Sequence, residues 1–169
     1  MRHLLLLCAG TVLVVLETTV APFLAIHGAR PDLVVVLVVL VGMLWGWRVA
    51  ALVGLFIGFI EDACSGQFLG LFMLTRTVVG MGAGMSYARV FQDRVVVPVV
   101  LVFLGALAGG VLHVFLLSSF GVPVLLSVAS FKTIVVQALY SAAFAPLLLK
   151  GMARLDLYMK RMAERRQAV

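Results

Sequence analysis

From Leu4 to Leu149 apolar segments follow one another with only short polar interruptions, and this succession limits the fold more than any single motif. A soluble globular domain is about 45–50% apolar and about 25% charged. Here 64% of residues are hydrophobic and 12% are charged, and the mean hydropathy is +1.21. That balance excludes a disordered chain, a nucleic-acid-binding domain and an ordinary cytosolic enzyme. It points to an all-α, polytopic membrane protein. At roughly 20 residues per span plus loops, 169 residues hold one domain of five to six helices.

The expected helices run from about His3 to Ile26, Leu33 to Trp45, Val49 to Ile60, Phe68 to Tyr87, Val95 to Phe120 and Phe131 to Leu149. The first reads as an uncleaved span rather than a signal peptide, because further apolar segments follow it. Asp32 is placed to cap the second helix, whose first N–H groups need an acceptor. The second and third helices are short. Even Pro31 to Trp47 gives only about 25 Å at 1.5 Å per residue, against a hydrocarbon core of about 30 Å. Two short spans or one re-entrant hairpin would fit; Trp45, Trp47 and Arg48 at the connection favour two spans with an interfacial anchor. Glu61 to Gln67 reads as a polar loop.

The net charge is +6, and its placement sets orientation. With the N-terminus inside, Arg2, Arg48, Arg89, Arg94, Lys150, Arg154, Lys160, Arg161, Arg165 and Arg166 fall on the inner side. Arg30, Arg76 and Lys132 are left in the outer half. Ten against three is a positive-inside bias. It predicts six spans with both termini cytoplasmic, a transmembrane domain over 1–149 and a basic tail over 150–169. Met152, Leu155, Met159 and Met162 recur in the tail at helical spacing. It reads as an amphipathic helix on the inner leaflet, its basic residues facing lipid, or else as a solvated extension of the sixth helix.

Charged residues within the membrane are costly and usually face a bundle interior or a wet cavity. Glu17, Glu61, Asp62, Arg76 and Lys132 lie in the outer half, with Gln67, His113 and Gln137 at similar depth. One reading is a polar pocket, open to the outside, that receives a partner. The other is structural, with Arg76 paired to Glu61 or Asp62, and Glu17 next, to hold helices together. For His113 a satisfied interior histidine is the simpler reading. No catalytic constellation emerges, and no metal or cofactor is expected. Cys8 and Cys64 lie toward opposite faces and form no CxxC; Cys8 comes too early for a lipoprotein cleavage box. Gly80 to Gly84 lies within an apolar helix and does not match a nucleotide-binding loop.

Five glycine pairs stand four residues apart: Gly42/Gly46, Gly54/Gly58, Gly66/Gly70, Gly80/Gly84 and Gly105/Gly109. Small residues let helix backbones approach closely in lipid. Gly54, Gly58, Gly80, Gly84, Gly105 and Gly109 are expected to pack helices within the bundle, or to leave smooth faces for a partner's helix. That partner's juxtamembrane segment would reach Glu61, Asp62, Arg76 or Lys132.

Arg30-Pro31-Asp32-Leu33 opens an apolar helix. Gly54-Leu55-Phe56-Ile57-Gly58-Phe59-Ile60-Glu61-Asp62 follows, then Ser65-Gly66 and Leu69-Gly70. In this order the chain resembles the MreD family of rod-shape-determining proteins, over essentially its whole length and most sharply from Pro31 to Gly70. The resemblance implies a non-enzymatic scaffold in the bacterial inner membrane, serving cell shape and peptidoglycan synthesis within the elongasome. It implies the bitopic protein MreC as partner, alongside the glycosyltransferase, the transpeptidase and MreB, and no nucleic acid. It also implies a six-transmembrane-helix bundle similar to the substrate-binding S components of energy-coupling-factor transporters. From that similarity comes the alternative function, a vitamin-binding transporter subunit.

Overall fold

The computed structural model describes residues 2–20, 30–66, 68–87, 96–121 and 128–167. Six helices account for nearly all of them: α1 (Arg2–Val20), α2 (Leu33–Trp45), α3 (Trp47–Ser65), α4 (Leu71–Tyr87), α5 (Val96–Ser119) and α6 (Val128–Gln167). No strand occurs among the described residues. Two helices are long and apolar enough to cross a membrane, α5 and the Phe131–Met152 part of α6.

α2 is the central post. Its sequence is dominated by valine, a residue that favours strands in water. Here every residue from Val34 to Met43 is buried, and α2 packs against α1, α3, α4, α5 and α6. A helix that is apolar on all sides is stable only when covered on all sides. Its bounds coincide with the sequence expectation. At 13 residues it is about 20 Å long.

Gly46 alone joins α2 to α3. Its φ of 85° is a conformation that a side chain disfavours, and it lets the chain reverse within one residue. α3 then runs 19 residues to Ser65, longer than expected. Glu61 and Asp62 therefore sit in its last turns, not in a loop. At about 28 Å, α3 is close to bilayer thickness, so of this pair α2 alone is short. Ala50, Val53, Gly54, Ile57, Gly58 and Asp62 face inward on α3. Leu52, Leu55, Phe56 and Phe59 face outward and are exposed. α5 likewise exposes Val96, Val100, Leu104, Val111 and Phe115. An apolar exterior around a partly polar interior is what lipid demands.

The glycine pairs are spent inside the bundle. A methyl on Gly54 would lie 2.7 Å from the Arg76 carbonyl oxygen, and one on Gly58 would lie 2.5 Å from the Met73 Cα. Gly80 meets Val38 and Ala50, Gly84 meets Trp47, and Gly105 and Gly109 meet Val79. α3 and α4 thus pack backbone to backbone. These six residues offer no free face to a partner helix, which corrects that part of the sequence reading. Gly46, Gly66 and Gly70 are turn residues with positive φ.

The C-terminal tail is not a separate helix. α6 continues for 40 residues, about 60 Å, with Pro146 inside it.

Two alanine substitutions separate close packing from helix propensity. Gly58→Ala should lower stability in detergent by about 1–3 kcal/mol through overpacking. At Gly82, exposed and with open space around it, alanine should be neutral or stabilising by up to about 1 kcal/mol. Thermal unfolding of the purified variants measures both.

Candidate functional site

The site is built on two helix N-termini. A helix leaves its first N–H groups without internal partners, and inside an apolar bundle water cannot supply them. At the start of α2, Asp32 Oδ1 accepts from the Val35 N–H at 2.8 Å, and Glu17 of α1 accepts from the Val34 N–H at 3.0 Å. At the start of α4, Asp62 of α3 takes three: Gly70 and Met73 donate to Oδ2 at 2.9 and 3.1 Å, and Phe72 to Oδ1 at 2.9 Å. Asp62 is 1% exposed. Negative groups at these positions also meet the positive ends of the two helix dipoles.

Arg76, on α4, closes the arrangement. Its Nε and Nη2 donate to the two Glu61 oxygens, each at 2.8 Å, a two-pronged pairing that fixes orientation as well as charge. Its Nη1 donates to Asp32 Oδ2 at 2.8 Å. The guanidinium carbon lies 5.3 Å from the Phe72 ring centroid, a cation–π distance. The Asp32 N–H donates to the Ser141 Oγ at 2.9 Å, which brings in α6. Five helices thereby meet in one network. Among the described residues no buried side-chain nitrogen or oxygen lacks a partner.

Next to this network lies a cleft of about 270 Å³. Glu17 and Thr18 of α1 form one side, Glu61, Cys64 and Ser65 of α3 the other, and Arg30 stands at its edge. Arg30, Thr18, Cys64 and Ser65 are exposed. His113 of α5 packs its ring on Phe72 with centroids 4.7 Å apart, and Phe68 stacks on Phe120 at 5.4 Å. His113 therefore packs behind the cleft, between α5 and α4.

The sequence reading brought the right helices together and exchanged some partners. Arg76 pairs with Glu61 as expected. Its second partner is Asp32, which the sequence suggested only as a cap. Asp62 serves α4 instead, because its two oxygens are used by three N–H groups. Glu17 goes to the α2 backbone. Asp62 and Arg76 are buried structural groups, so neither is a surface that a partner could touch. Lys132 is exposed on α6 and Gln137 half-buried, and neither lines the cleft. Gln67 lies outside the described residues. Ser141 was not anticipated; one serine in an apolar segment carries no signal of its own.

An all-helical bundle with an apolar exterior and a paired, charged interior defines a helical membrane protein. The profile of the family described as rod shape-determining protein MreD matches residues 1–155, and the chain belongs to that family. Its role is therefore in rod shape determination, and the family is not one of enzymes. A search of curated proteins and a search of solved structures each return no match.

Removing one partner of a buried ion pair costs about 3–5 kcal/mol, because the other charge is stranded. Arg76→Ala should therefore lower detergent stability by about that much. Arg76→Met combined with Asp32→Asn and Glu61→Gln should recover part of the loss. Unfolding midpoints and membrane accumulation of the two variants test this. Equal loss in both would show that stranded charge is not the cause.

Proposed function

We propose that this chain is a multi-pass inner-membrane scaffold of the elongation complex that binds and positions MreC at the cleft beside the α2 N-terminus. Peptidoglycan synthesis would be served through that complex, with the glycosyltransferase, the transpeptidase and MreB as further neighbours. The proposed topology is six spans in an S-component-like arrangement, with both termini cytoplasmic.

The observation that carries the site is the short α2, buried from Val34 to Met43. It is about 10 Å shorter than the hydrocarbon core. At its C-terminal end, Trp47 and Arg48 are exposed, with the guanidinium 5.3 Å from the ring centroid. That is interfacial chemistry. If that end sits at one membrane surface, the shortfall falls at the other, where the cleft is. The ten-to-three basic bias supports that side as the outer one. A juxtamembrane segment of a bitopic partner could enter there, contacting Arg30, Thr18 and Ser65 while its own helix lies on a lipid-exposed face.

Cys64 lines the cleft, whereas Cys8 lies in the first half of α1 and does not, and both are exposed and free. In a Cys8→Ser background, Cys64 should react with a membrane-impermeant maleimide from the outside of intact spheroplasts. Co-expressed MreC should slow that reaction several-fold. Thr18→Trp, which fills the cleft, should reduce MreC co-purification without lowering thermal stability. Labelling of Cys64 only after permeabilisation would reverse the orientation. Unchanged labelling with MreC, together with full MreC recovery on Thr18→Trp, would remove the cleft as the docking site.

A further inference from the structure

α6 carries a feature that the cleft does not use. Its last 15 residues, 153–167, continue an unbroken helix beyond the part that can lie in a bilayer. At 3.6 residues per turn, positions 150, 154, 161 and 165 fall within about 60° of arc. All four are Lys or Arg. Met152, Leu155, Met159 and Met162 fall within about 80° on a different arc, centred roughly 130° away. Asp156, Lys160 and Glu164 lie outside both arcs, and Arg166 falls on the apolar one.

The burial pattern fixes how this wheel is turned. Met152 is 6% exposed and belongs to the core, whereas Lys150 and Arg154 are exposed. Met152 therefore marks the core-facing side of α6, and Lys150 and Arg154 start on the outward side, where the helix leaves the bundle. Lys150 and Arg154 stand within about 6 Å along the axis of each other, near the end of the apolar Phe131–Met152 stretch. That is headgroup level if this stretch crosses the bilayer.

We propose that the stripe formed by Lys150, Arg154, Arg161 and Arg165 binds anionic phospholipid headgroups of the leaflet through which α6 leaves the membrane. The opposite sign of charge lies within reach of the first two residues without any partner protein. Gly151, with open space around it, and Pro146, which has no N–H to give to the preceding turn, sit where the axis would tilt toward the leaflet. The apolar arc would then enter the acyl boundary beside the stripe. The proposal is independent of the cleft.

The test uses the full chain with Cys8→Ser, Cys64→Ser and Ala163→Cys, carrying an environment-sensitive fluorophore. Position 163 lies beside the apolar arc. Nanodiscs of phosphatidylcholine alone are compared with equal mixtures of phosphatidylcholine and phosphatidylglycerol. A blue shift, and quenching by spin-labelled lipid, should appear in the anionic discs and fade in molar salt. Near the surface, each stripe charge removed should lower the bound-to-free ratio about five-fold. Arg154→Gln with Arg161→Gln should therefore lower it more than Lys160→Gln with Arg166→Gln. Equal blue shifts in neutral and anionic discs, or equal effects of the two pairs, would overturn the proposal. So would a fluorophore that stays in water in both discs and shifts only when an acidic protein partner is added.

Discussion

A helix that ends inside the bundle, away from water, must have its terminal N–H groups satisfied by the protein itself. α2 is such a helix, and the rest of the structure is arranged around that need. Asp32 and Glu17 supply acceptors at its start, and Asp62 does the same for α4. Carboxylates are effective acceptors, but they bring negative charge into a place where charge is costly. Arg76 offsets one of them, Asp32, and pairs with Glu61 in the same geometry. The Arg76–Asp32 pair is thus a consequence of the α2 end.

The same need explains the tight packing of α3 on α4. For Asp62 to reach three N–H groups of α4, and for Arg76 to reach back to Glu61, the two helices must lie almost in contact. Gly54 and Gly58 make that possible by opposing Arg76 and Met73 with no side chain between. The lock and the glycines are therefore one device. The cleft is what remains beside it, where α1 and α3 stand apart over the α2 terminus.

Much of this was legible in the sequence, because lipid leaves few options for so apolar a chain. The bounds of α2 followed from Asp32 and from the Trp-Gly-Trp connection. The end of α3 did not, since Glu61 and Asp62 look like the edge of a span until their partners are known. Asp32 was recognisable as a cap, but a carboxylate has two oxygens, and the second finds Arg76 from 44 residues away. Ser141 had no signal at all. α6 passes through Pro146; neighbouring helices can compensate for a proline inside a bundle.

Hydrogen–deuterium exchange in nanodiscs tests the central claim most directly, read over residues 33–36 and 70–73. First-turn amides without partners exchange quickly. With Glu17, Asp32 and Asp62 holding them, the Val34, Val35, Phe72 and Met73 amides should be protected as strongly as the middle of α2, and Asp62→Ala should release Phe72 and Met73 while leaving Val39 unchanged. Fast exchange of these first turns in the unaltered protein would contradict the account.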